Sequence, residues 1–195
     1  SASVSRYEWV LQKLLELCKA NINTHEQTFT RFLLDIPFLT PHVYECIRQC
    51  CASTTDVAVG LDTLYKIIKM RPKERSTALL VLLEHTNKKD SSVCNQAIKI
   101  VTSKLFSSEQ FQEPIEEYAM KSLMSLSGEG SASLDEEEVT QRILLYFVLT
   151  SRKPNMLDGL LQLYTTVPKH VKVCMHRQAG GLIRRIGMDD PDMLR

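Results

Sequence analysis

The sequence predicts an all-α protein, a HEAT/ARM-like stack of about five antiparallel helical hairpins. Three observations lead there. Apolar residues recur with the 3.6-residue period of amphipathic helices, and no convincing strand alternation is present. Helix start signals return about every 15–20 residues, so two helices give a period of roughly 35–45, the range of HEAT-type repeats. The links are short, which forces neighbouring helices to run antiparallel. A 195-residue chain that is 44% hydrophobic can bury a sizeable core, so residues 1–195 are read as one helical repeat domain.

Taken in order, a first helix spans 5–20, its apolar positions Val10, Leu11, Leu14, Leu15, Leu17 and Cys18. Residues 21–23 break it, and Thr24 with Gln27 forms a capping box for a helix through Phe29, Phe32 and Leu33 that Pro37 ends. Thr40 and Pro41 pair an N-cap with proline at the first helical position. Residues 53–56 cap the next helix, which carries Leu61, Leu64, Ile67 and Ile68 up to Arg71. Pro72 is expected to start a helix reaching about His85, and Asp90 to cap another that continues through Leu105. Ser107 with Gln110 is a further capping box. Pro114 is then expected to interrupt, leaving a short turn before it and a helix over 114–126. Residues 127–134 (SGEGSASL) are expected to form a flexible loop. The four acids 135–138 suit the first turn of a helix reaching Thr150, where the helix dipole favours negative charge. Pro154 and Pro168 each start one further helix.

The last of these helices draws most interest. Its phase puts Val171, Met175, Ala179, Leu182, Ile183 and Ile186 on one arc. Lys169, His170, His176, Arg177 and Arg184 fall opposite, with Gly180 and Gly181 among them; Gly187 is expected to stop the helix and Asp190-Pro191 to open another. Two adjacent glycines inside a helix point to a packing or kink requirement, because each is costly there.

Several function classes are disfavoured. A net charge of +1 argues against bulk electrostatic binding of nucleic acid or anionic membrane, so any basic function is local. No apolar run approaches the ~20 residues of a membrane span. The opening SASVSRYEW has neither signal-peptide order nor an initiator Met, and the chain is read as a segment of something longer. The six cysteines sit mostly in apolar helical patterns, as reduced core thiols of a cytosolic or nuclear protein do.

The chemistry is equally spare. His42, Cys46 and Cys50, and likewise His170 and Cys174, share i, i+4 spacing, but these thiols lie in apolar stripes and read as core. His25-Glu26 and Glu84-His85 lack the rest of a zinc-hydrolase motif, Gly128-Glu129-Gly130 is no phosphate loop, and no nucleophile elbow occurs. No catalytic residue, metal ligand or cofactor site is assigned. The basic set Lys66, Lys69, Arg71, Lys73 and Arg75 reads as a solvated surface. The candidate partner-binding residues are Lys169, Lys172, His176, Arg177, Arg184 and Arg185.

A family resemblance takes the reading further. Residues 160–195 carry the Tyr164-Thr165 pair, Lys172, Arg177, Ile183-Arg184, Gly187-Met188 and Pro191; with them this stretch resembles the C-terminal domain of the symplekin family. Upstream, TFTRFLLDIPFLTPHVYECIRQCC (28–51), GLDTLYKIIKMRP (60–72) and the hairpin over 97–123 are similar to the family in the same order, so nearly all the chain after Tyr7 is covered. The chain departs at Leu182, where the family commonly has proline, and at 127–134, where a longer insert is common. The resemblance implies a non-catalytic scaffold of the nuclear pre-mRNA 3′-end cleavage and polyadenylation machinery. Its partners would be the metallo-β-lactamase-type endonuclease subunit and that subunit's inactive homologue. Two other readings stand beside it: a generic HEAT/ARM adaptor, and an RNA-binding helical repeat. The latter is weakened by the lack of an aromatic in the C-terminal basic arc.

Overall fold

A computed structural model describes residues 2–20, 26–53, 55–128 and 133–189, with backbone alone for 2–5, 19–20, 26 and 181–189. Ten α-helices and no strand occur among the described residues, so the all-α class holds. The chain divides into two compact units, Ser1–His85 and Thr86–Arg195.

The first unit holds α1 (Ala2–Ala20), α2 (Glu26–Asp35), α3 (Pro41–Ala52), α4 (Val57–Met70) and α5 (Arg75–Glu84). The central α4 packs against α2, α3 and α5 through Leu61, Leu64, Ile67 and Ile68, all fully buried beside Phe29, Leu33 and Ile47. Gly60 permits this approach: a Cβ there would lie 2.6 Å from Cys51 Sγ and 3.0 Å from its backbone nitrogen. Thr30 and Thr63 satisfy one another at 2.8 Å inside the core, as buried hydroxyls must. Thr40 takes the N-cap position of α3 with Pro41 at the first turn, but its side chain makes no capping bond. The capping box at Thr24 lies outside the described residues.

Two expectations for this unit change. Pro72 does not open a helix; it sits in a turn closed by Glu74 N–H to Arg71 O, and α5 begins at Arg75. Arg71 and Arg75 tie this corner down: Arg71 donates to the carbonyls of Leu33 (2.8 Å) and Pro37 (2.9 Å), and Arg75 to that of Ile68 (3.0 Å). Part of the basic set read as merely solvated is therefore a backbone clamp. Among the described side chains of α1 only Leu11 and Leu15 are buried, because the helix meets α2 and α3 along one narrow face; Trp9, Val10, Leu14 and Leu17 face outward.

The second unit holds α6 (Ser91–Ile100), α7 (Glu109–Met124), α8 (Glu136–Thr150), α9 (Leu157–Thr166) and α10 (Lys169–Asp189). Asp90 caps α6 by accepting from the amides of Ser92 and Val93. The helix then widens into a π segment, Val101–Leu105, before Phe106. Helix α7 runs unbroken through Pro114, contrary to the expected interruption. That proline lies on the exposed side within the first two turns, where a carbonyl one turn back can be hydrated. The unit's core gathers Phe111, Ile115, Ala119, Val139, Ile143, Tyr146, Val171 and Met175. Half of the expected loop over 127–134, residues 129–132, lies outside the described residues, while Ser125–Ser127 forms a 3-10 turn.

Candidate interaction surface

Helix α10 packs on α8 through Val171 and Met175, which belong to the arc expected from its phase, together with Cys174 beside them. Burial therefore turns Lys169, His170, Val173, His176, Arg177 and Gly180 outward. Gly187 does not end the helix, which continues to Asp189, and no glycine among the described residues takes the positive φ of a helix-terminating cap. Leu182, Ile183, Arg184, Arg185 and Ile186 lie within α10, with only their backbone described. The helix expected from Asp190-Pro191 lies outside the described residues.

Three of the expected partner-binding side chains acquire neighbours that a reading of one helix misses. Tyr164, on α9, is hydrogen-bonded to His176 Nε2 at 2.7 Å, the two rings nearly parallel with centroids 5.4 Å apart. Lys172 Nζ lies 5.2 Å from the centroid of the same Tyr164 ring, a cation–π distance. The basic arc therefore does have an aromatic beside it, contributed from the adjoining helix. Arg177 pairs with Glu136 in the first turn of α8, so it is tethered within the chain while still largely exposed.

Along α9, Leu157, Leu161 and Tyr164 share one face at i, i+4 and i+7, and both leucines are exposed. Because Tyr164 meets Lys172 and His176, this apolar line runs into the basic side of α10 as one surface. An exposed apolar line with a cationic flank is what protein interfaces present before they are covered.

The base of α8 is braced from the segment that leads into α6. Asp135 and Glu138 form a capping box, Asp135 accepting from Glu138 N–H at 2.8 Å and Glu138 accepting from Asp135 N–H at 3.2 Å. Lys89, just before α6, reaches both carboxylates at 2.8 and 3.2 Å. The hydrogen bond from Lys89 holds the Asp135 carboxyl below its usual range, and Asp135 then Glu138 hold the Lys89 ammonium above its own. These acids do more than answer the helix dipole; they fasten α8 to the start of α6.

Among the described residues no three His, Cys, Asp or Glu side chains come together as a metal site. His42 is exposed while Cys46 and Cys50 are buried, and Cys174 is buried while His170 is exposed. Burial pushes the Cys51 thiol up to about 12 and that of Cys94 to about 11, the behaviour of inert core thiols. Among the described residues no helix is long and apolar enough to cross a membrane. Fold and surface together define an all-helical protein with an exposed, mixed apolar and basic face. No family model matches the chain, and no solved structure matches it.

Proposed function

We propose that this chain is a non-catalytic scaffold that docks protein partners on the α9–α10 face. The observation carrying this reading is the continuous strip from Leu157 and Leu161 through Tyr164 to Lys172 and His176. Tyrosine beside apolar and cationic groups suits a protein partner whose surface is apolar with acidic margins. The resemblance of residues 160–195 to symplekin supplies the identity of that partner. It is the pre-mRNA cleavage endonuclease of metallo-β-lactamase type together with its inactive homologue, in the nucleus. Helices packing on the next but one, as α2 on α4, α7 on α9 and α8 on α10, support stacked hairpins of HEAT/ARM type.

Co-expression with the C-terminal domains of those two subunits, followed by pull-down, tests the proposal. The double variant Leu161→Asp/Lys172→Glu should lose co-purification at least tenfold while keeping its helical circular dichroism. Undiminished capture would remove this face from the reading.

Tyr164 also favours a second reading, single-stranded RNA binding, since an aromatic now stands among the basic residues. Phosphate contacts would make the affinity for an RNA oligonucleotide fall steeply with salt. Absence of binding near physiological salt would remove that reading.

A further inference from the structure

Two adjoining clefts of about 500 and 290 Å³ share Gln27, Thr30 and Lys66, and so form one groove between α2 and α4. The larger is within the range of small-ligand pockets, and Leu34 and Met70 give it apolar walls. Met70, at the end of α4, is 65% exposed. Arg71 follows it and donates to the Pro37 carbonyl, which draws the α2–α3 turn to the same corner with Phe38 69% exposed. One guanidinium thus holds two large apolar side chains from different elements together in solvent.

The charges decide what covers them. Arg31 and Lys66 line the groove, and Lys69, Arg71, Lys73 and Arg75 follow around the corner, against only Asp35, Asp62 and Glu74. Two of these three acids are already engaged, Asp62 with Lys66 at 2.8 Å and Glu74 with the Tyr44 hydroxyl at 3.0 Å. Arg71 spends its hydrogen bonds on the carbonyls of Leu33 and Pro37, which are neutral, so its charge is not cancelled there. Lys73 is exposed. The ends of α2 and α4 meet the starts of α3 and α5 here, so the helix dipoles offset one another and the side chains set a positive sign.

A cationic corner with apolar anchors fits a protein segment that carries aromatic or aliphatic side chains next to carboxylates. RNA is the less suitable occupant, because Leu34 and Met70 offer no rings on which successive bases stack. A flexible methionine is instead the side chain that adapts to another protein's apolar surface.

We propose that the α2–α4 groove and the corner at its Met70 end dock an acidic segment of a protein partner. The segment's apolar side chains lie along Leu34 and Met70, and its carboxylates face Arg71 and Lys73. This is a second docking point, separate from the α9–α10 strip and independent of the reading given there.

The test is fluorescence anisotropy with the full 195-residue chain and a labelled Gly-Leu-Asp-Asp-Phe-Glu-Asp-Leu-Gly peptide. One counterpart carries asparagine and glutamine in place of the acids, another serine in place of leucine and phenylalanine, and a labelled polyuridine oligonucleotide stands for RNA. The acidic peptide should bind at least tenfold more tightly than either counterpart and more tightly than the oligonucleotide. Met70→Ser and Lys73→Glu, both changes of exposed side chains, should each weaken it at least threefold. Lys121→Glu, the same change of charge on the exposed side of α7, should leave it within twofold, as should Lys172→Glu on the α9–α10 strip. No binding of the acidic peptide, full binding by either corner variant, or an equal loss in Lys121→Glu would each overturn the proposal. Tighter binding of the oligonucleotide, lost in Lys73→Glu, would overturn it in favour of RNA.

Discussion

At the scale of single residues, two glycines of the second unit have opposite meanings that the sequence does not distinguish. Gly159 lies under the Tyr146 hydroxyl: a Cβ there would come within 2.6 Å of that oxygen and 2.7 Å of Met120 Cε. The methionine can move, but the hydroxyl is committed to the Met156 carbonyl at 2.7 Å inside the core. Gly159→Ala should therefore destabilise by about 1–3 kcal/mol, from overpacking and a strained buried hydrogen bond. Gly180 is the reverse case. Among the described residues nothing lies within 4 Å of a Cβ built on it, so no packing contact with them retains it. Gly180→Ala should raise stability by about 0.8–1 kcal/mol, the usual helix-propensity difference. Urea denaturation of both variants checks the pair, and equal signs would contradict this account. Should Gly180→Ala stabilise the chain yet weaken capture of its partner, the glycine serves the partner's close approach.

At the scale of elements, local signals succeeded at some helix starts and failed at others. Ser107 and Gln110 form no capping box, since Ser108 is the N-cap of α7 and its side chain makes no capping bond. Asp90 and Asp135 mark real helix starts because a cap is settled within three or four residues, and Pro41 marks one because its fixed φ suits the first helical position. Pro114 was misread because the general penalty for a helical proline says nothing of which side of the helix it lands on. Its exposed placement near the start of α7 leaves a mainly propensity-level cost. Pro114→Ala should therefore stabilise by about 1–2 kcal/mol, the regained hydrogen bond exceeding the looser unfolded chain. A lower urea midpoint for the variant would show the proline to be favourable where it stands.

The brace at the foot of α8 gives an element-scale prediction about pH. The folded Asp135 carboxyl titrates below its ordinary value, so its contribution is fully present above the ordinary aspartate range. That contribution is lost as pH falls through the lowered value. Lys89 runs the other way, contributing below the ordinary lysine range and losing that as pH rises through its raised value. The brace is thus at full strength across neutral pH. Asp135→Asn keeps an oxygen for the cap but removes the charge, so it should lower the urea midpoint at neutral pH. Once pH has fallen below that lowered value and the aspartate is protonated, wild type and variant should converge. A gap that persists unchanged into acid would mean the charge of Asp135 plays no part.

At the scale of the whole molecule, helix number and class were legible because apolar periodicity runs along the entire chain. The surface was legible only in part. Phase alone turned Lys169, His176 and Arg177 outward, as observed. It could not supply Tyr164 for His176, Glu136 for Arg177, or Lys89 for Gln141, since those pairs join residues of different elements and arise from packing. Nor could it foresee that the contacts gather into two units, each with its own core. That division has a chemical readout, because each unit buries its own thiols: Cys46, Cys50 and Cys51 in the first, Cys94 and Cys174 in the second. The second unit closes a core from five helices and fixes it with Tyr146 on the Met156 carbonyl and Cys94 on the Thr86 carbonyl. A protein of residues 86–195 alone should therefore fold. Its two thiols should resist a thiol reagent in buffer and become reactive together, in one cooperative urea transition, since a self-contained core opens as a unit. If both thiols instead react in buffer at the rate of unfolded cysteine, the core of this unit depends on the residues before Thr86.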